Sequence, residues 1–99
     1  MQAFYPECFE HEMGCTEADW LRWLPLAVGE HPWKLHTGTA GVRIGDGALG
    51  LKWQVTAPRV IGLVSIPVLR VHFRFACVDE AQRSAFMTRF DLCMQRGGG

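Results

Sequence analysis

This chain is poor in the parts from which catalytic sites are built. It contains only two serines, Ser65 and Ser84, and neither sits in the strand–turn–helix setting of a nucleophile elbow. Its four cysteines, Cys8, Cys15, Cys77 and Cys93, form no C-x-x-C pair, which sets aside thioredoxin-like redox chemistry. No glycine-rich loop precedes a helix, so no phosphate cradle of the P-loop or dinucleotide type is encoded. Glu10, His11 and Glu12 are neighbours, but alternation along a strand would part the histidine from both carboxylates. The expectation is a domain that is not an enzyme and carries no cofactor.

Net charge is also missing. The formal value is zero, so the field of the whole molecule selects no partner. Long apolar runs are missing too. The longest uncharged one, Val60 to Leu69, has about half the length a membrane span requires, and Pro67 interrupts it. The first fifteen residues hold three glutamates and no basic start, so no secretory leader is expected. These features favour a cytoplasmic protein with no membrane partner and with reduced cysteines. Cys77 and Cys93 fall on apolar faces, where they would pack as small hydrophobes.

What is present is the composition of a globular domain: 99 residues, 48% apolar and 20% charged. That length makes one domain over residues 1–99 with enough chain for one core, and residues 1–6 and 97–99 are expected to fray. The clearest element is Leu69–Cys77. Leu69, Val71, Phe73, Phe75 and Cys77 alternate with Arg70, His72, Arg74 and Ala76, a period of two that gives a strand one core face and one basic face.

The same reasoning extends to the rest of the chain. Phe9 to Met13 alternate as a short first strand, ended by Gly14. Thr16 opens a helix, with Asp19 completing a capping box. Trp20, Trp23, Leu24 and Ala27 form its buried stripe, widened by Leu21 and Val28. Pro25 should kink this helix or leave only its first half regular, and Gly29 suits its C-terminal cap. Trp33–His36, Val42–Ile44 and Leu49–Thr56 alternate as strands, with hairpin signals at Gly38 and Gly41 and at Gly45-Asp46-Gly47. Ala57-Pro58-Arg59 reads as the next turn. Val60 to Ile66 is apolar on both sides, as in a strand covered on both faces, and Ser65-Ile66-Pro67 bends the chain into Leu69–Cys77. Asp79, with Gln82, caps a last helix whose buried stripe is Ala85, Phe86, Phe90, Cys93 and Met94. Arg83, Arg89 and Arg96 keep to its other faces, Asp79 and Arg83 sit at supporting i, i+4 spacing, and Gly97 ends it. The pattern is an α+β two-layer sandwich of order β-α-β-β-β-β-α, a curved antiparallel sheet of four to five strands with both helices on one face.

Three kinds of binding fit this pattern. Residues 1–32 hold six acids and one base, while residues 33–78 hold six bases and one acid. If the strands pair in order, Lys34, His36, Arg43, Lys52, Gln54, Arg70, His72 and Arg74 share one sheet face. Lys34, Lys52, Arg70, His72 and Arg74 are then candidates for an anion or single-stranded nucleic-acid site, unless Glu10 and Glu12 neutralise them across the first strand. His72, between two arginines, is expected neutral unless an anion binds. The segment with Val60, Ile61, Leu63, Val64 and Ile66 is the leading alternative: a strand this apolar needs a cover, and another protein or a second copy of this chain supplies one. This reading makes the domain a protein-interaction module that self-associates as a homodimer. A third reading is an apolar-ligand carrier with a cavity between Trp53, Phe73 and Phe90. Cys8, His11 and Cys15 have a spacing zinc can use, but alternation would turn residues 8 and 11 to opposite faces.

Overall fold

A computed structural model describes residues 4–98, with side chains through Gln95. Seven elements follow one another: β1 (Cys8–Met13), α1 (Glu17–Val28), β2 (Trp33–His36), β3 (Thr39–Ile44), β4 (Gly47–Ile61), β5 (Val64–Ala76) and α2 (Glu80–Gly98). The five strands form one antiparallel sheet in the order β1-β5-β4-β3-β2. Strands β2 to β5 are a meander, and α1 carries the chain from β1 on one edge to β2 on the other. The expected α+β class and element order hold.

Alternation decides the two faces. Leu49, Leu51 and Trp53 of β4 and Leu69, Val71, Phe73 and Phe75 of β5 are buried, and both helices cover them. Trp20 of α1 lies 5.4 Å from the Trp53 ring and 5.9 Å from Phe90 of α2. Phe73 meets Phe90 edge-on at 5.5 Å, and Phe75 meets Phe86 at 6.4 Å. The Trp53 indole also donates to Glu17 Oε2 at 2.8 Å, tying β4 to α1.

Both helices start as their sequences direct. Thr16 Oγ1 accepts from the Asp19 amide while the Asp19 carboxylate faces the Thr16 amide, and Gly29 closes α1 at a φ of 67°. Asp79 and Gln82 make the same reciprocal pair at α2. Several details differ from expectation. The helix α1 runs through Pro25 to Val28; Pro25 and Leu21, whose carbonyl loses its intrahelical donor to the proline, both lie on the exposed side, where water can replace the missing bond. Leu21 and Ala85 are exposed, and Met87 joins the core instead. Arg83 does not pair with Asp79; its guanidinium donates to the carbonyls of Tyr5 at 2.8 Å and Val78 at 2.6 Å. The helix α2 continues through Gly97 to Gly98, and the Arg96 side chain lies outside the described residues. Cys77 is exposed: it follows the end of β5 with a φ of 57°, and Val78 takes the buried place. Cys93 is half-buried.

The N-terminal segment is anchored at Tyr5. This residue is fully buried, and its hydroxyl donates to Asp91 Oδ2 of α2 at 2.5 Å. Burial first, then the hydrogen bond and the charge of Asp91, push the phenol up to about 12. An acid whose pKa is higher in the folded state stabilises fully below its unfolded value, near 10. That contribution is lost as pH rises from there towards about 12. Tyr5 is the only tyrosine, so phenolate absorbance reports it alone. We expect its titration to be delayed until the fold opens, and the alkaline fall in denaturant midpoint to shrink in Tyr5→Phe.

Candidate functional site

The long hairpin of β4 and β5 outgrows the sheet on both sides. β3 pairs with β4 only through Lys52, and β1 pairs with β5 only from Leu69 onward. Beyond these points the two strands continue as an arm. Ala57-Pro58-Arg59 is not a turn. Thr56 pairs with Val68 and Arg59 with Ile66, so Ala57 and Pro58 oppose Pro67 in a bulge. Neither proline has an amide hydrogen to give to the ladder, and a bulge is where a hairpin tolerates that. Pairing then resumes to Ile61 and Val64. The reversal comes at Gly62-Leu63, with Gly62 at a φ of 60°, the geometry a two-residue hairpin loop requires. Val60–Ile66 is therefore the tip of a hairpin and not one covered strand.

The arm is apolar and open. Val55 at its base and Val60, Ile61, Leu63 and Val64 at its tip are 59–106% exposed. Ile66, half-buried, rests near Gly14 at the end of β1. By register Ile61, Val64 and Ile66 share the face opposite the helices, while Val55 and Val60 share the helix side. The arm's one charge, Arg59, is held at its base by Glu12 at 3.3 Å.

The polar sheet face divides in two. At the arm end, Glu12 also meets Arg70 Nη2 at 3.3 Å, Glu10 meets Arg70 Nε at 3.5 Å, and His72 Nδ1 lies 3.2 Å from Glu10. The cross-strand register Glu10↔His72 and Glu12↔Arg70 enforces these contacts. Arg70 and His72 are thus engaged by carboxylates, and His72 has an acid rather than an arginine as its nearest charge. At the other end, Lys34, Arg43, Lys52 and Arg74 are exposed and make no ion pair among the described residues. Of the five cations singled out in the sequence, Lys34, Lys52 and Arg74 stay together, and Arg43 completes their group.

Two other candidates come apart. Cys8 pairs opposite Arg74 and His11 opposite Val71, on opposite faces of β1, while Cys15 is buried with its thiol pushed up by burial and by the charge of Asp19. No group of three metal-ligating side chains gathers among the described residues. Between Trp53, Phe73 and Phe90 the Trp20 ring packs against Trp53 and Phe90, and Phe73 meets Phe90 edge-on. No helix among the described residues is long and apolar enough to cross a membrane. No family model, curated protein or solved structure matches the chain.

Proposed function

We propose that this domain works by binding protein, and that it associates with a second copy of itself through the β4–β5 arm. The observation that carries the reading is the arm, where Val55 at the base and Val60, Ile61, Leu63 and Val64 at the tip all face water. Each such side chain gains about 1.5–3 kcal/mol when fully buried. On the face that a second arm would cover, Ile61 and Val64 alone forgo about 3–6 kcal/mol when left in water.

The placement of prolines says how the arm would dock. An arm with two free strand edges is open to strand addition. Pro58 and Pro67 lie one on each strand of the arm, and each removes a ladder donor. What remains available is the pair of side-chain faces. Two arms laid face to face bury Ile61, Val64 and Ile66 against the same residues of the other copy, and the one charge on that face, Arg59 opposite Ile66, is already paired with Glu12 at the arm's base. A twofold pairing of this kind needs only one self-complementary patch.

Sedimentation velocity across a concentration series tests the reading. The natural chain is expected to move from monomer to dimer. The double variant Ile61→Asp with Leu63→Asp is expected to stay monomeric and keep the natural circular-dichroism spectrum, since exposed tip positions contribute little to folding. A natural chain that remains monomeric at the highest concentration, or a double variant that dimerises equally, contradicts the proposal.

A further inference from the structure

Two glycines on the polar face have no conformational reason to be glycine. Gly41 of β3 and Gly50 of β4 face each other in the ladder, and neither is among the residues of positive φ. A Cβ on Gly41 would meet nothing within 4 Å, and one on Gly50 would make only an ordinary contact at 3.8 Å. Glycine inside a strand costs roughly 0.5–1 kcal/mol relative to alanine, and it often marks a close approach of a ligand.

What surrounds the bare patch is cationic. Lys34, Gly41, Gly50 and Arg74 form one cross-strand row, so the two charged residues stand about 14 Å apart at the usual strand spacing. Lys52 lies two residues from Gly50 along β4 and Arg43 two residues from Gly41 along β3, each about 7 Å along its strand. An open depression of about 510 Å³ lies over the β3 side of this patch, bordered by Lys34, His36, Thr39, Gly41, Arg43 and Ala48. That volume falls within the range of small-molecule sites. Glu10 and Glu12 of the same sheet face are committed to Arg59, Arg70 and His72, and Glu30, which borders a neighbouring depression with Arg43, makes no ion pair with it. The aromatic side chains of β4 and β5 belong to the opposite, buried face, and one aromatic residue of β2, the half-buried Trp33, borders the depression, so the surface has phosphate donors without the row of exposed rings that single-strand binders use.

We propose that the depression at Gly41, together with the open surface across Gly50 beside it, binds a small organic oligophosphate of nucleotide size, its phosphates held by Lys34 and Arg43 at the border of the depression and by Lys52 and Arg74 beyond it. The cations are too far apart for one phosphate to reach them all, and a chain of phosphates laid across the glycines touches several. The glycines let the phosphates approach the sheet, where a side chain would hold them off. This proposal is independent of self-association at the arm.

Isothermal titration calorimetry of the full chain tests it, with inorganic tripolyphosphate, ATP and a short single-stranded oligonucleotide as probes. Both triphosphates are expected to bind saturably at one site and more weakly as ionic strength rises. Lys34→Ala or Arg43→Ala is expected to weaken binding about tenfold or more, as removal of a charged hydrogen-bond donor does. Gly41→Val fills the floor and is expected to abolish binding while keeping the fold, because a β-branched residue suits an exposed strand position. Arg22→Ala on α1, and Ile61→Asp with Leu63→Asp at the tip, are expected to leave binding unchanged. The proposal is overturned if neither triphosphate binds, if binding survives a folded Gly41→Val, or if the oligonucleotide binds and the triphosphates do not.

Discussion

Replacing Phe73 by alanine is expected to cost about 3–5 kcal/mol, the range for emptying an aromatic core position. Phe73 is 2% exposed and stands where three layers of contact meet. It stacks on Phe9 of β1 at 4.7 Å with the rings 9° from parallel, meets His11 at 5.6 Å, and receives the edge contact with Phe90 of α2. In the ladder it lies between Phe9 and Leu51, so the cavity would open between the edge strand, the sheet centre and a helix that cannot all close together. Aromatic pairs add about 0.5–1.5 kcal/mol beyond burial, so a double-mutant cycle with Phe90→Ala is expected to show positive coupling. Urea unfolding followed by circular dichroism measures both. A loss below about 1.5 kcal/mol would mean that Phe73 is not a keystone of the core. Val60→Ala at the exposed tip is the contrast, expected within about 0.5 kcal/mol of the natural chain.

The contrast between Phe73 and Val60 is also where reading the sequence succeeds and fails. Alternation through Leu69–Phe75 was legible because one residue in two is apolar and the others, Arg70, His72 and Arg74, are basic; at Ala76 and Cys77 that contrast is gone, and the strand ends there. That periodicity has one physical solution, a strand with a core face and a polar face. The caps at Thr16 and Asp79 were legible because their partners lie three residues away and need no tertiary information. Val60–Ile66 was not legible: with apolar residues on both sides there is no period to place a reversal, and a two-residue loop needs only one glycine. Pro58 looked like a turn because proline stops a ladder, but a bulge answers the same missing donor without reversing the chain. Tyr5 was hidden for a different reason. Its partner Asp91 is 86 residues away, and nothing local in Phe4–Glu7 announces a contact with the last helix.

The candidate surfaces follow the same logic. The sequence showed that bases concentrate in residues 33–78, and it showed that Glu10 and Glu12 could oppose them. It could not show which bases the acids reach. Register settles that: β1 spans only Cys8–Met13, so its two glutamates fall beside Arg70 and His72 and leave Arg74, Lys52, Arg43 and Lys34 beyond them. One strand's length thus separates a neutralised half of the sheet from a cationic half. The neutralised half adjoins the arm, which keeps unpaired charge away from the apolar tip.

Gly47→Ala is expected to be among the most damaging single-methyl changes in the protein. Gly47 begins β4 and is buried. A Cβ there would lie 2.3 Å from the Cys77 carbonyl oxygen and 2.4 Å from that of Ala76. Both obstacles are backbone, at the end of β5 where Ala76 is paired with Ala48, so no side-chain rotation relieves them. Cys77 already occupies the left-handed region, which costs a residue with a Cβ roughly 1–2 kcal/mol, so this end of β5 has little freedom to withdraw. We expect a loss of about 2–4 kcal/mol, the scale of an overpacked and strained core site. Denaturant unfolding of Gly47→Ala beside Gly41→Ala isolates the cause. Both variants remove the same backbone freedom from the unfolded chain, yet the Gly41 methyl enters open space and is expected to leave stability unchanged or slightly raised. Equal losses in the two variants would show that strand propensity rather than the approach of the Ala76 and Cys77 carbonyls governs position 47.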